Sequence, residues 1–312
     1  MKEDNSGIVL EYLEQVIGKS EKRSKGNYAF HCPFCNHRKP KLEVQIHTDT
    51  EGKNRWACWV CRSRGTTLYG LLKELKVDKD TTLKILKYVS KGNISFKDSS
   101  YHKIELPSEF RSIHKENSNS ILVRQAKNYL YKRGLTEIDF YRYDLGFCTK
   151  GRYKDRIVIP SYDSQNRLNF FVTRAYTKSG LSYLLPDFDK DVVFFENLIN
   201  WDLPIILCEG VFDAMSIRRN AIPLLGKFMQ TSLFVKLITA STSKIYIALD
   251  SDARKDAIKV ADLLYHYNKE VYFVNMPKKD PSEMGFEAFS NILEDAEVFD
   301  DYFLLKNKLE SI

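Results

Sequence analysis

Two stretches decide the fold: PIILCEGVFDAMSIRR at residues 204–219 and KIYIALDSDAR at residues 244–254. Each begins with a short, unbroken apolar run and then changes to a helical pattern. A third apolar run, VYFVNM at 271–276, follows another helical stretch. Short apolar strands that alternate with helices are typical of a parallel sheet covered on both faces. The sequence therefore predicts an α/β domain built on a parallel sheet flanked by helices.

Acidic residues stand where these strands end. Glu209 follows the first run, Asp213 lies one turn into the next helix, and Asp250 and Asp252 follow the second run. Asp280 lies in an acidic loop after the third run. Because parallel strands end at one edge of a sheet, we expect a site there for Mg²⁺ or Mn²⁺. Carboxylates at strand ends also cap helices, and that alternative stays open.

Upstream, the cysteine spacing predicts a metal site. Two C-x-x-C pairs with 22 residues between them are formed by Cys32, Cys35, Cys58 and Cys61. Four thiolates complete the tetrahedral shell of one structural Zn²⁺, so the sequence predicts a zinc-ribbon module whose folding depends on the metal. His31 and His37 flank the first pair. A site with one imidazole in place of a thiolate is therefore the alternative.

The positive charge of the chain is concentrated near these cysteines. The formal net charge is +7, and residues 19–64 contain eleven Lys and Arg against four Asp and Glu. Such a stretch favours nucleic acid as a partner, although a solvated charged face is an alternative. Cations and rings alternate around the second pair, as on surfaces for single-stranded nucleic acid: Arg55, Trp56, Trp59, Arg62 and Arg64. The tryptophans are equally compatible with core filler.

Other local patterns complete the outline. A helix predicted over 121–133 stops at Gly134, a residue suited to a C-terminal cap. Residues 156–176 predict a β-hairpin around the turn D-S-Q-N.

No apolar run approaches the roughly 18 residues that a bilayer requires, and the first residues lack a signal-peptide pattern. We therefore expect a cytoplasmic chain without a membrane partner.

The motif Glu209-Gly-Val-Phe-Asp213 followed by Asp250-Ser-Asp252 resembles the Toprim signature of primases, topoisomerases, nucleases and recombination mediators. The residues around it resemble, in order, the DnaG-type primase core: Tyr129-Leu-Tyr-Lys-Arg-Gly134-Leu, Asp144-Leu-Gly-Phe, Arg156-Ile-Val-Ile-Pro160, Arg174, Tyr183-Leu-Leu-Pro and Phe195-Glu-Asn. The resemblance covers roughly residues 28–90 and 121–285, and the compact chain is similar to the bacteriophage branch.

The resemblance implies an arrangement of domains. The expected boundaries are 1–90 for a zinc-binding domain, 91–120 for a polar linker, 121–202 for a basic N-terminal subdomain of mixed structure, 203–285 for a Toprim catalytic subdomain and 286–312 for an acidic helical tail. The chain departs from the family in three ways. It offers four cysteines where cellular members include a histidine, it has Ser282 where D-P-D carries a second aspartate, and it lacks a large helicase-binding domain after residue 285.

The resemblance also implies an activity, the synthesis of short RNA primers on single-stranded DNA. Asp250, Asp252 and Asp280 are then expected to bind Mg²⁺, Glu209 to act as a ligand or as the base, and Asp213 to belong to the catalytic set. Nucleotide phosphates and template are expected to contact a set of basic residues: Arg156, Arg174, Lys132, Arg133 and Arg152. Ordinary surface or ion-paired arginines are the alternative.

The partners implied are a single-stranded DNA template, ribonucleoside triphosphates and the RNA–DNA hybrid product. A hexameric replicative helicase and a single-stranded-DNA-binding protein are further expected partners, in a bacterial host cytoplasm if a phage encodes the chain. A Toprim nuclease and a non-catalytic recombination mediator are the alternatives, and a type IA topoisomerase is disfavoured by length. The acidic stretch 283–301 either packs on the sheet or docks a partner.

Overall fold

The computed structural model describes residues 6–47, 54–89, 104–116, 120–177, 181–226, 228–277 and 280–310. It divides the chain into two compact units. The first comprises residues 1–98 with 266–269, and the second comprises 99–265 with 270–312. Within the described ranges, no helix combines the length and the apolar character needed to cross a bilayer.

The first unit is a small antiparallel sheet with helices. Its elements are α1 (Ser6–Ile17), β1 (Ser20–Lys22), β2 (Asn27–Phe30), β3 (Leu42–Gln45), β4 (Trp56–Cys58), β5 (Arg64–Gly65), α2 (Leu68–Glu74) and α3 (Lys79–Val89). The strands lie in sequence order, and every neighbouring pair is antiparallel. The first cysteine pair follows β2, and the second begins at the last residue of β4. The meander thus brings both pairs to one end of the sheet.

Trp56 is a core residue of this unit. It is only 3% exposed, and its indole N–H donates to the Thr67 carbonyl at 3.0 Å. Its ring covers Gly65, where an added Cβ would lie 2.6 Å from the indole nitrogen. The core-filler alternative is therefore confirmed for Trp56, because alternation along β4 turns it inward. Trp59, in the turn after β4, is 70% exposed and remains on the surface.

The second unit has two sheets. The first part contains β6 (Phe110–Ser112), α4 (Ile121–Lys132), α5 (Glu137–Arg142), β7 (Gly146–Cys148), β8 (Arg156–Tyr162), β9 (Leu168–Ala175) and β10 (Tyr183–Leu184). The second contains β11 (Ile205–Cys208), α6 (Val211–Ile217), β12 (Ala221–Pro223), α7 (Thr231–Thr239), β13 (Lys244–Ala248), α8 (Arg254–His266), β14 (Glu270–Phe273), α9 (Pro281–Glu294), β15 (Glu297–Val298) and α10 (Asp301–Glu310).

The two sheets differ in direction. In the first, the order is β10-β9-β8-β7-β6 and all neighbours are antiparallel. In the second, the order is β12-β11-β13-β14-β15, and only the two-residue edge strand β15 is antiparallel. The predicted parallel sheet is thus confirmed, with the strands and helices in the expected order.

The predicted hairpin and helix stop are also confirmed. Strands β8 and β9 pair across a turn in which Asp163 Oδ1 accepts from the backbone N–H groups of Gln165 and Arg167, each at 2.9 Å. Helix α4 ends before Gly134, whose φ of +74° is a left-handed conformation that glycine adopts at low cost.

Part of the predicted linker belongs to the second unit. Of the range 91–120, residues 91–103 and 117–119 lie outside the described residues. Within 104–116, strand β6 pairs with β7, and Ile104 and Ile113 are buried in the core of this unit. The polar blocks around these few apolar residues conceal the strand in the sequence.

The predicted acidic tail is likewise part of the sheet domain. Helix α9 starts at Pro281, before the expected boundary, and buries Phe289 completely. Strand β15 pairs with β14, and Phe299 and Phe303 are buried beside it. The described acidic stretch therefore packs on the sheet domain, which was one of its two alternatives.

Gly146 gives a test of the first sheet of this unit. A Cβ at this position would meet the ring of Phe110 and lie 2.8 Å from the Arg111 carbonyl oxygen. We expect Gly146→Ala to lower the free energy of unfolding of the second unit by about 1–3 kcal/mol, because β6 must move away. Urea denaturation measures this. Gly7→Ala, which meets no atom within 4 Å, serves as the control and should stay within about 0.5 kcal/mol.

Candidate functional site

The four cysteines of the first unit form one cluster. Their sulfur atoms all lie within 4.8 Å of one another. The Sγ atoms of Cys32 and Cys61 are 3.7 Å apart, and those of Cys35 and Cys58 are 3.9 Å apart. A tetrahedron with Zn–S bonds of about 2.3 Å has edges of about 3.8 Å. The cluster therefore has the dimensions of a four-thiolate zinc site.

Backbone amides surround these sulfurs. Cys32 accepts hydrogen bonds from the backbone of Phe34 and Cys35, and Cys58 accepts from the Val60 N–H at 3.4 Å. Burial raises the pKa of the Cys32 thiol to about 12. Hydrogen bonds from Ser63 lower the pKa of Cys61 to about 6. A cation would supply the charge that keeps all four sulfurs deprotonated together.

The two histidines do not join this cluster. His31 Nδ1 lies 3.3 Å from the His37 carbonyl oxygen, and His37 Nδ1 accepts from the Lys39 N–H at 3.1 Å. In the described part of the first unit, the group of possible ligands consists of cysteines only. The geometry therefore favours four thiolates over a site with an imidazole.

A second cluster lies at the carboxyl edge of the parallel sheet. Strands β11 and β13 are neighbours in register, with Cys208 beside Ala248. Glu209 therefore leaves the sheet level with Leu249, Asp250 follows one residue later, and Asp252 lies in a short 3₁₀ turn. One carboxylate oxygen of each of the three lies within 4.8 Å of the others. Around an octahedral Mg²⁺, ligand oxygens are separated by about 3–4 Å, so the cluster fits a divalent cation.

Two of the three side chains in this cluster, those of Glu209 and Asp250, are partly buried, and that of Asp252 is exposed. Glu209 Oε2 and Asp250 Oδ1 are shielded from solvent. Like charges held close together in a poorly solvated place repel strongly. A bound cation removes that repulsion, which is a physical reason for these residues to serve as ligands.

Asp213 has a different environment. Its Oδ2 accepts from the Gly210 N–H at 2.9 Å, and its Oδ1 accepts from the Ser282 N–H at 3.3 Å. Burial raises its pKa to about 7, and the charges of Asp280 and Asp250 add to that effect. A Cβ at Gly210 would lie 2.8 Å from Oδ2. Asp213 thus fixes the loop after Glu209 against the start of α9 and is outside the group of three.

Asp280 caps α9 in the described structure. Its Oδ1 accepts from the Glu283 N–H and from the Ser282 hydroxyl, both at 2.8 Å. It does not belong to the group of three carboxylates. The helix-cap alternative therefore accounts for Asp280, and its role as a magnesium ligand stays a prediction.

Two of the five expected basic residues form a cluster with aromatic rings. Arg174 Nε donates to the Tyr129 hydroxyl at 3.2 Å, and its guanidinium lies 4.5 Å from the centre of the Tyr183 ring. Arg133 lies 5.6 Å from the centre of the Tyr129 ring and donates to the Ser282 hydroxyl at 3.4 Å. This basic–aromatic cluster therefore borders the first turn of α9.

The other three basic residues lie elsewhere. Arg156 is buried, and its guanidinium donates to the carbonyls of Leu181 at 2.7 Å and Ser182 at 3.4 Å. This contact fixes the chain at the start of β10, and the expected contact of Arg156 with nucleotide or template stays a prediction. Lys132 and Arg152 are exposed. Neither joins the basic–aromatic cluster, so their contact with template backbone stays a prediction.

The rings of this cluster were not predicted as site residues. Tyr129 and Arg133 are four residues apart on α4, so they share one helix face. This four-residue spacing could have identified Tyr129 and Arg133 as neighbours from the sequence. The position of Tyr183 has no such local signal, because β9 and β10 bring it to Arg174 by sheet pairing.

Comparison with known proteins matches the chain to DNA primases. No family model matches the chain. A DNA primase of Campylobacter jejuni is 22% identical over 297 residues, which cover 78% of this chain and 47% of that protein. A DNA primase of Thermotoga maritima is 23% identical over an aligned length of 371 residues, and the alignment covers 95% of this chain and 61% of that protein. The chain thus spans about half the length of the curated relatives it matches.

Solved structures match as well. A DNA primase domain from Pseudomonas aeruginosa has a TM-score of 0.53 and 23% identity, covering 64% of this chain and 80% of that structure. A DnaG primase catalytic domain bound to ssDNA has a TM-score of 0.52 and 20% identity, covering 58% and 76% respectively.

Fold and site together define the class: a module whose four cysteines fit one zinc ion, followed by a parallel sheet with three carboxylates at one edge. Within that class, the chain has the fold of the DnaG primase catalytic core. It also resembles DnaG-type primases in sequence.

The cysteine cluster predicts a metal-dependent first unit. Metal analysis of the purified chain should find one zinc per chain. Cys58→Ser should lose it and increase hydrogen exchange throughout the first unit, because the metal-binding free energy is part of the folding free energy. Cys148→Ser, a buried cysteine of the second unit, is the control and should keep its zinc. Full zinc content in Cys58→Ser would contradict the assignment.

The carboxylate cluster predicts a divalent-cation site. We expect Asp250→Asn to raise the dissociation constant for Mn²⁺, measured by electron paramagnetic resonance, at least about tenfold, or 1.4 kcal/mol. The control is Asp256→Asn on α8, whose carboxylate pairs with Lys259 at 2.9 Å. Equal Mn²⁺ affinity in both variants would show that the cation binds elsewhere.

Proposed function

We propose that this chain is a DNA primase that synthesises short RNA primers from ribonucleoside triphosphates on single-stranded DNA. The observation that carries the proposal is the convergence of Glu209, Asp250 and Asp252 at one sheet edge, in a chain with the DnaG core fold. The solved relative bound to ssDNA supports the template class. The chain covers only part of its relatives, so the whole activity is part of the proposal.

The reaction joins a 3′-hydroxyl to the α-phosphate of an incoming ribonucleotide and releases pyrophosphate. Negative charge builds on the phosphate oxygens, and Mg²⁺ or Mn²⁺ supplies charge neutralisation there. Asp250 and Asp252 hold that cation, and Glu209 is either a third ligand or the base for the attacking hydroxyl. Arg133 and Arg174 neutralise the remaining phosphate charge, and their ring contacts fix their orientation.

Asp213 contributes indirectly in this proposal. Its hydrogen bond to Gly210 fixes the residue directly after Glu209, so it positions the carboxylate cluster. Asp280, although it caps α9, lies close enough to raise the pKa of Asp213. It therefore remains a candidate for an additional ligand once nucleotide is bound.

The first unit has a separate role in the proposal. Its zinc is structural, and the unit helps to select the start site on the template. Exposed Trp59 and its basic neighbours Arg55, Arg62 and Arg64 offer stacking and phosphate contacts. A replicative helicase and a single-stranded-DNA-binding protein are the proposed protein partners, in the cytoplasm of a bacterial host.

The decisive test is primer synthesis with labelled ribonucleotides, Mg²⁺ and single-stranded DNA of mixed sequence. Asp250→Ala and Glu209→Ala should each lower the rate by at least about a hundredfold, because the charge at the reacting phosphate loses its stabilisation. Asp256→Ala is the matched control and should keep full activity. Circular dichroism should show that all three variants fold.

The same assay separates the rival functions. A Toprim nuclease would cut the DNA without ribonucleotides, and Asp250→Ala would abolish that cleavage. A recombination mediator would bind DNA without any turnover. Full primer synthesis by a variant carrying both Asp250→Ala and Asp252→Ala would refute the metal assignment.

A further inference from the structure

An aromatic ring stands exposed in the loop that follows β12. Leu224 donates its backbone N–H to the Cys208 carbonyl at 2.9 Å, so the chain leaves β12 beside Glu209. Phe228 follows four residues later and is 69% exposed. The neighbouring strands are parallel, so this loop rises from the same edge of the sheet as the three carboxylates.

The backbone of this loop is strained. Leu225 has a φ of +55° and Gly226 a φ of +137°. The left-handed conformation is unfavourable for a residue with a side chain, and such strain is commonly found at functional sites. These two consecutive residues turn the chain directly after β12, and the ring of Phe228, two residues beyond Gly226, is exposed instead of packed into the core.

The chemistry of the edge suggests what the ring contacts. The three carboxylates of this edge fit a divalent cation, and the basic–aromatic cluster borders the first turn of α9. A ligand that suits both is a phosphate bearing a metal ion. In nucleotides and nucleic acids a phosphate is accompanied by a planar base, and an exposed ring stacks on any base regardless of its sequence.

We propose that Phe228 is a base-stacking residue that holds a nucleobase next to the carboxylate cluster. The inference rests on the proposed function for its ligand class. The base belongs either to the incoming ribonucleotide or to the template strand, and both offer the same planar face. Phe228 thereby adds affinity that does not depend on phosphate charge.

The test compares ligands with and without a base, using the full zinc-loaded chain. The nucleotide arm compares a ribonucleoside triphosphate with ribose 5-triphosphate. The template arm compares oligothymidylate with an abasic oligonucleotide of equal length. Stacking is worth about 1–3 kcal/mol per base, so the base should tighten binding by about five- to 150-fold in one arm.

Variants assign that preference to the ring. Phe228→Trp should keep the preference for the base, whereas Phe228→Ala and Phe228→Leu should lose it, because leucine is apolar but not planar. Tyr302→Ala is the control. Its ring is 74% exposed and follows β15, the outer strand on the side of the sheet opposite β12. The arm in which the preference disappears identifies the source of the base.

An unchanged preference in Phe228→Ala, or no preference for a base in the unsubstituted chain, would overturn the inference. The measurement is equilibrium binding and needs no turnover. A chain that stacks bases but makes no primers would refute the proposed function and leave the role of Phe228 standing.

Discussion

The register between β11 and β13 is the constraint on which the site depends. Cys208 lies beside Ala248, so Glu209 and Asp250 follow their strands at the same end of the sheet, offset by one residue. A slip of one residue would turn the side chains of one strand to the opposite face. Complete burial of Ile205, Leu207, Ile245 and Ile247 opposes such a slip. The hydrophobic core thus fixes the position of carboxylates that repel one another.

The two sheet-containing parts of the second unit also meet through polar contacts. Arg133 from α4 reaches Ser282, and Arg218, after α6, donates to the Gly134 carbonyl at 2.9 Å and to Asp139 at 3.2 Å. Lys236 and buried Glu196 form an ion pair at 2.7 Å. These contacts are directional, whereas apolar packing is not. They orient the basic–aromatic cluster relative to the carboxylates.

The sequence predicted most of the fold, because its signals are local. The apolar runs at 204–208 and 244–249 and the cysteine spacing each need only neighbouring residues to be recognised. The roles of single polar residues were harder to predict. Arg156 lies on a strand that the sequence identifies, yet its partners are carbonyls 25 and 26 residues away. Asp280 follows a strand as a metal ligand would, but the Ser282 hydroxyl and the start of α9 engage it. Such outcomes depend on tertiary contacts that composition and spacing do not encode.

Strand β15 has a consequence for the order of folding. It pairs only with β14, and the helix after it buries Phe303 against Phe273, with ring centres 5.1 Å apart. Until the chain through α10 has been made, the β14 edge of the sheet lacks β15 and the ring of Phe273 lacks its contact with Phe303. An unpaired edge of this kind invites pairing with other chains. The first unit, by contrast, contains its own sheet within residues 20–65. During synthesis the sheet of the first unit can therefore form before the sheet that carries the carboxylates is complete.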